Sequence, residues 1–211
     1  MTARLSAENR RSQLIEAGLT VAARSGISAV TVREIAEHAH VSLGVVHYCF
    51  ENKEALVTAM GEALIAELGS AVSEALTGAM TAEGQSAAGP RALRESLHRG
   101  VAALWSVVEK TADRQLLTYE ITAYSVRSEG CGPEIGTKQY HVMDAETGRF
   151  LIAAAAASSM RWTEPMASLT RSALATIDGV VLRWLVDNDT LAVIAELDDL
   201  AARIATKAVP A

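Results

Sequence analysis

The chain has 211 residues, half of them apolar, and carries a formal net charge of −6 at pH 7, so it is long enough for a sizeable core and too acidic to coat nucleic acid indiscriminately. It has no uninterrupted run of 18 or more apolar residues and no apolar signal-peptide segment near its start, which predicts a cytoplasmic protein without a membrane span. Cys49 and Cys131 are too few for a disulfide or zinc framework and are predicted to be plain thiols.

Composition and charge distribution favour a helical protein in two parts. Aromatic residues make up 4% of the chain and alanine is abundant, a balance typical of closely packed helices and predictive of an all-α fold. Residues 1–53, called the head below, hold six Lys/Arg against five Asp/Glu, a net charge of +1. Residues 54–211 hold thirteen against twenty, a net charge of −7. A small basic face on the head is therefore compatible with the acidic total.

Two helices are predicted at the start of the head. The first spans about residues 6–25 and ends at Gly26, because glycine readily adopts the conformation that closes a helix. The second follows Thr31, which stands three residues before Glu34 in the spacing of a capping box. Both helices carry apolar residues at helical spacing, so both are expected to contribute one face to a small core.

A third predicted helix follows a short turn and begins after Ser42, a residue type that caps helices. Val46 and Phe50 lie four residues apart and are expected to face inward. The side chains that then face outward are those of Leu43, Gly44, His47 and Tyr48. A helix, a turn and a second helix with small and hydrogen-bonding outward groups is the geometry of a DNA-binding helix-turn-helix.

A long fourth helix and several later ones are predicted after the head. Asn52 is expected to cap the fourth helix. Its apolar stripe repeats at every fourth residue and comprises Leu56, Met60, Leu64, Leu68, Val72 and Leu76. The stretch MTAEGQSAAGP then breaks the pattern. Further helices are predicted at roughly 91–109, 112–127, 134–158, 165–187 and 190–207.

The segment TVREIAEHAHVSLGVVHYCFENKEAL, residues 31–56, resembles the N-terminal pattern of the TetR family of bacterial transcriptional regulators. The likeness includes His47 and Tyr48 before Phe50, with Lys53 three residues later. The segment IDGVVLRWLVDND also looks like the penultimate helix of that family, though this signal is much softer.

The resemblance, which covers about residues 10–60, implies a domain organisation. A three-helix helix-turn-helix DNA-binding domain is expected over residues 1–51, and a larger helical ligand-binding and dimerisation domain over residues 52–211. The long fourth helix is expected to join them.

The resemblance also implies roles for individual residues. Base reading is implied for Arg33, Leu43 and Gly44. Phosphate contacts are implied for Thr31, Ser42, Val45 through its backbone, His47, Tyr48 and Lys53. Three positions depart from the family pattern: His40 stands where glycine is usual, Leu43 where a polar reader is common, and Cys49 where histidine is common. His40 is therefore expected to adopt a left-handed backbone, and Leu43 to contact thymine methyl groups.

The family likeness further implies a homodimer that binds palindromic double-stranded DNA and a small-molecule effector, without a cofactor, a metal or a membrane. The expected function is that of a repressor released by a small, largely apolar ligand. Dimer contacts are expected from Leu169, Ala173, Ile177, Val181, Trp184, Leu197, Leu200, Ala201 and Ile204. Ligand contacts are expected from Leu104, Trp105, Val108, Leu116, Leu117, Glu120, Ile121, Tyr124, Tyr140, Met143, Trp162 and Met166.

Other interpretations stay open at this point. A regulator of the same fold could activate transcription or answer a protein partner. The chain could also be an all-α enzyme or adaptor, although it contains no HExxH, GxSxG or glycine-rich phosphate loop, and it is expected not to be an enzyme. His47 and Tyr48 could pack on the head, and Leu43 could belong to its core. Glu120 and Tyr124, four residues apart, are either a surface pair or groups that orient a ligand.

Overall fold

The computed structural model describes residues 6–81, 88–127 and 134–211. Its elements are α1 (Ala7–Ser25), α2 (Val32–His38), α3 (Leu43–Cys49), α4 (Lys53–Thr81), α5 (Pro90–Lys110), α6 (Ala112–Arg127), α7 (Glu134–Ala157), β1 (Met160–Trp162), α8 (Met166–Asp187), α9 (Thr190–Ala205) and β2 (Ala208–Pro210). Each predicted helix is present within a few residues of its expected bounds, which confirms the all-α class. Cys131 and most of the MTAEGQSAAGP stretch lie outside the described residues.

The chain divides into two compact units. The first contains the described residues up to Glu67 together with those from Asp113 to Gln139, so it adds α6 and the start of α7 to the head. The second contains the described residues from Leu68 to Ala112 and from Tyr140 to Ala211. The predicted boundary after residue 51 separates a DNA-binding domain from a ligand-binding and dimerisation domain. This division by function stays a prediction.

Local sequence signals begin and end the helices of the head. Gly26 ends α1 with φ of +77°, and its N–H donates to the carbonyl of Ala22. Thr31 and Glu34 form the predicted capping box at the start of α2. His40 has φ of +54°, which confirms the left-handed conformation expected where the family usually has glycine.

The long helix α4 begins as predicted, because the side-chain oxygen of Asn52 accepts a hydrogen bond of 2.8 Å from the N–H of Ala55. Its apolar stripe is buried at Leu56, Met60 and Leu64 and only half-buried further along. At Gly61 an added Cβ would lie 2.8 Å from Ile135 on α7, so glycine permits the close crossing of these two helices in the first unit.

Among the described helices, α4 alone is long and apolar enough to cross a membrane by length and composition. In the structure, 39% of the 18-residue apolar segment of α4 is buried. The core helix of a soluble protein can have the same length and composition.

In the second unit, α9 packs against α5 and α8. The rings of Trp105 on α5 and Trp184 on α8 meet edge to face with centroids 4.9 Å apart. The sequence analysis missed a two-stranded antiparallel ribbon in which Met160 pairs with Pro210. Strands of three residues carry too little alternation to be recognised from sequence, and the ribbon forms because distant parts of the chain meet.

Most of the side chains predicted to form a dimer interface are buried within the chain itself. This holds for all except Ile177: Leu169, Ala173, Val181, Trp184, Leu197, Leu200, Ala201 and Ile204. Their role in a dimer stays a prediction. The large apolar side chains that α8 and α9 expose are Leu182, Val186, Leu191 and Ile194.

Candidate nucleic-acid interface

The turn between α2 and α3 fixes the relative position of these two helices. The N–H of Val41 donates to the carbonyl of Ala36 across the turn at 3.0 Å. On the inner side, Ile35, Val46 and Phe50 are at most 3% exposed. Helices of seven residues are unstable alone, so this small core is what holds α3 in place.

The opposite side of α3 is open to solvent, as predicted. Leu43 is 45% exposed and Tyr48 is 83% exposed, and Gly44 and His47 are exposed as well. These four residues are called the reading face below. Leu43 therefore lies outside the core of the head. The face combines an apolar group, an open stretch of backbone and two hydrogen-bonding side chains, which suits contacts to base edges and phosphates.

Ser42 and Val45 border the reading face. Ser42 is the N-cap residue of α3, but its side chain makes no capping hydrogen bond, so this detail of the predicted cap was wrong. Its side chain is exposed, and Val45 is half-buried. The hydroxyl of Ser42 is therefore not committed to capping the helix.

Two candidate residues on α2 already have partners. The hydroxyl of Thr31 donates to Glu34 Oε2 at 2.8 Å and accepts from the Glu34 N–H at 3.2 Å. The Thr31 N–H also donates to Glu34 Oε2, at 2.9 Å. The hydrogen bonds that the Thr31 hydroxyl and N–H donate to this carboxylate hold the pKa of Glu34 below its ordinary value of 4.5. Arg33 pairs with Glu37 at 3.1 Å, but both side chains are well exposed, and such surface pairs exchange readily.

Lys53 is also held within the first unit. Its Nζ donates to the carbonyl of Ser28 at 3.1 Å and lies 5.9 Å from the centroid of the Tyr124 ring. An ammonium group has three donors, so these contacts leave capacity for a phosphate oxygen. Lys53 thus links the start of α4 to the α1–α2 loop and to α6.

Residues 14–60 match the family model described as bacterial regulatory proteins, tetR family. The chain is 27% identical over 184 residues to the HTH-type nicotine-responsive transcriptional repressor HdnoR of Paenarthrobacter nicotinovorans, covering 87% of this chain and 88% of the relative. The chain therefore carries the helix-turn-helix domain of the tetR family at residues 14–60. It is a DNA-binding transcription regulator with the helix-turn-helix of that family.

Solved structures of TetR-family regulators share this fold. One from Mesorhizobium loti superposes with a TM-score of 0.76 at 14% identity, covering 97% of this chain and 99% of its own. One from Rhodococcus sp. gives 0.71 at 20% identity, covering 95% and 98%. At these identities the likeness concerns the fold, and it extends over both compact units of the chain.

The sequence analysis missed two further residues of the head that support the helix-turn-helix. Arg11 donates to the carbonyl of Cys49 at 2.8 Å, and Gln13 donates to the carbonyl of Ala39 at 3.1 Å. Arg11 and Cys49 are 38 residues apart, and the acceptor is a backbone group that every residue has. No sequence signal therefore identifies these contacts.

The predicted ligand residues fall into both compact units. The five on α6 belong to the first unit: Leu116, Leu117, Glu120, Ile121 and Tyr124. The other seven belong to the second: Leu104, Trp105, Val108, Tyr140, Met143, Trp162 and Met166. Their role in ligand binding stays a prediction.

Within the first unit, Glu120 and Tyr124 contact the head. Glu120 Oε2 accepts a 2.8 Å hydrogen bond from the N–H of Ile27, and the Tyr124 ring lies beside Lys53. Both side chains therefore contact other parts of the first unit, and their role toward a ligand stays a prediction.

Within the second unit, three of the predicted ligand residues have polar or packing partners. Trp105 packs on Trp184, and Trp162 Nε1 donates to the carbonyl of Leu151 at 3.1 Å. The hydroxyl of Tyr140 donates to Asp178 at 2.8 Å. Partial burial and this bond to a carboxylate raise the pKa of Tyr140 to about 12. Tyr140 therefore stays neutral at physiological pH.

Proposed function

We propose that this TetR-family regulator is a cytoplasmic homodimeric repressor that binds a palindromic operator and leaves it when a small, largely apolar molecule binds. The observation that carries the proposal is the exposed reading face of α3, held by a buried opposite face. Such a helix enters the major groove without any rearrangement of the head.

The chemistry of the reading face supports a division of roles. Leu43 and Gly44 lie at the start of α3, where a recognition helix approaches base edges, and Leu43 would contact thymine methyl groups. Ser42, His47 and Tyr48 are exposed donors suited to phosphate oxygens. Arg33 reads a base once it exchanges Glu37 for DNA.

The exposed apolar side chains of α8 and α9 support the homodimer. Val186 is 78% exposed and Leu191 is 81% exposed, on neighbouring ends of the two helices. Large apolar groups exposed together mark interaction surfaces. A two-fold dimer through α8 and α9 would present two reading faces about 34–36 Å apart, one turn of DNA, which calls for a palindromic operator.

The relative from Paenarthrobacter nicotinovorans supports control by a small molecule, because its name describes it as responsive to nicotine. The likeness extends along 87% of this chain, well beyond the head. A ligand that binds better to a state with low DNA affinity releases the operator by the difference between its affinities for the two states.

The DNA-binding part is tested with a duplex that the wild-type protein selects from a randomised library. Leu43→Glu places a carboxylate on the reading face, while a glutamate at the first position of a helix is compatible with folding. Like-charge contact with phosphates should lower affinity for that duplex about a hundredfold. Gel-shift titration measures the change.

Ala153→Glu is the matched control, since it adds the same charge at an exposed position of α7. It should leave the affinity within about twofold of wild type, because residue 153 is not part of the proposed DNA contact and the charge of an exposed side chain is screened by salt. Equal losses in both variants, or no loss with Leu43→Glu, would show that α3 does not enter the groove.

A further inference from the structure

Arg11, on α1, contacts the end of the recognition helix. Its Nη1 donates a 2.8 Å hydrogen bond to the carbonyl of Cys49, the last residue of α3. Its guanidinium carbon lies 4.2 Å from the centroid of the Phe50 ring, and Phe50 is the C-cap residue of α3. One side chain therefore makes a polar and an aromatic contact at the same helix end.

These contacts are important because they lie at the C-terminal end of a helix. The last carbonyls of a helix have no partner within the helix, and a cation there interacts favourably with the helix dipole. Arginine suits the position because its planar guanidinium can lie over a ring while its N–H groups donate in the plane of the guanidinium. In α3, which has seven residues, such contacts matter more than in a long helix.

Gln13 makes a similar contact at the C-terminal end of α2. Its Nε2 donates to the carbonyl of Ala39, the C-cap residue of α2, at 3.1 Å. Its own oxygen accepts from Arg10 at 2.7 Å, which fixes the amide's orientation. Side chains of α1 thus bind the C-terminal ends of both helices of the helix-turn-helix.

We propose that Arg11 is a positioning residue that sets the angle of α3 through the Cys49 carbonyl and the Phe50 ring, and that it does not contact DNA itself. This inference rests on the DNA-binding role of the reading face. At its other end α3 has no side-chain cap, since Ser42 makes no capping bond, so Arg11 fixes the end away from the base-reading residues.

A small change of angle is enough to matter. A helix of seven residues is roughly 10 Å long, so a tilt of about 10° about one end moves the other end by roughly 2 Å. That displacement exceeds the distance range over which a hydrogen bond persists. Loss of the Arg11 contacts should therefore weaken base-specific binding far more than non-specific binding.

The test compares Arg11→Ala with Arg24→Ala, which removes the same charge from the last turn of the same helix. Two probes are used: a duplex selected by the wild-type protein from a randomised library, and a scrambled duplex of equal length and composition. Active protein is counted by stoichiometric titration, so that partly unfolded samples do not lower the affinity. Each affinity is measured from 50 to 300 mM salt.

Arg11→Ala is expected to lower affinity for the selected duplex about tenfold while its affinity for the scrambled duplex matches that of Arg24→Ala. The slope of log K against log salt should also match that of Arg24→Ala. If Arg11 instead contacts a phosphate, the slope becomes shallower by about 0.9 than in Arg24→Ala, and the proposal is overturned.

Equal losses on both duplexes, or no loss on either, also overturn it. Should Arg11→Ala fail to fold, Arg11→Lys replaces it. Lysine keeps the charge but lacks the planar stacking group, so a threefold loss of affinity confined to the selected duplex is expected. If the ratio of the affinities for the selected and the scrambled duplex is unchanged, the proposal is overturned. A wild-type protein that selects no duplex would instead contradict the DNA-binding role itself.

Discussion

The side chains of α3 show how one short helix serves two purposes. Val46 and Phe50 are buried and hold the helix, while Leu43 and Tyr48 on the other side are exposed. Spacing along the helix predicts this division, because inward residues four apart leave the intervening ones outside. What spacing does not predict is which polar groups have other partners, and Lys53 is the main example.

Lys53→Ala tests whether the ammonium of Lys53 contacts a phosphate in addition to Ser28. A lost phosphate contact should flatten the slope of log K against log salt by about 0.9 per half-site. Gel-shift titrations on the selected duplex at several salt concentrations measure the slope. Lys110→Ala, at an exposed position at the end of α5, is the charge-matched control. A slope equal to that control would show that Lys53 only braces the head.

The helices of the first unit are joined by polar contacts as well as by their core. The capping box fixes the start of α2, and Glu120 on α6 holds the N–H of Ile27 in the α1–α2 loop. Arg114, at the start of α6, pairs with Glu16 on α1 at 2.6 Å. Within this unit α6 therefore acts as a brace for the head.

The capping box of α2 should make stability depend on pH. Because Thr31 lowers the pKa of Glu34 from 4.5, the contribution of ionised Glu34 is complete above that value and disappears as pH falls through the lowered pKa. Glu34→Gln keeps a box-forming side chain without the charge. Urea denaturation followed by circular dichroism should show wild type to be more stable than Glu34→Gln at pH 7, with the difference shrinking as the pH falls below 4.5. A difference that persists unchanged at low pH would contradict this account.

Glu120→Ala should loosen the α1–α2 loop. The largely buried amide of Ile27 would lose its acceptor, at a cost of about 1–3 kcal/mol. Amide hydrogen exchange at Ile27 should quicken by roughly tenfold to a hundredfold. Glu120→Gln, which keeps an oxygen acceptor, should exchange much as the wild type does. Equal exchange in all three proteins would mean that Glu120 does not hold the loop.

The complete chain combines a nearly neutral head with an acidic remainder, so non-specific attraction to DNA is weak and binding depends on the reading face. One reading face makes few contacts. A dimer supplies two at once, and the second half-site then binds at a high effective concentration. The assembly state is therefore part of the proposed function.

The double variant Val186→Glu, Leu191→Glu should be monomeric, since carboxylates would replace apolar groups at the proposed dimer contact. Sedimentation velocity measures the mass, and affinity for the selected duplex should fall at least a hundredfold with the loss of the second half-site. The control, Ile152→Glu, changes an apolar residue of α7 that is 57% exposed. A double variant that remains dimeric would move the contact away from these residues.

Signals carried by neighbouring residues were enough to predict the helices, the cap at Thr31 and the exposure of the reading face, while the left-handed His40 was expected from the family resemblance. Helix periodicity, caps and turns depend on residues within one or two turns of each other, so they can be read along the chain. For Leu169, Val181 and Leu197 the same periodicity predicts burial, which the structure shows, but it does not tell whether the chain itself or a partner covers such a stripe.

Tertiary structure alone decided which distant groups meet. Arg11 reaches Cys49, and Glu120 reaches Ile27, across 38 and 93 residues respectively. The carbonyl of Cys49 and the N–H of Ile27 are backbone groups, so no residue-specific pattern identifies them. Only the packing of α1 and α6 on the head brings the side chains of Arg11 and Glu120 to them. The recognition helix α3 can thus be identified from the sequence, while the Arg11 contacts at its C-terminal end form only in the folded chain.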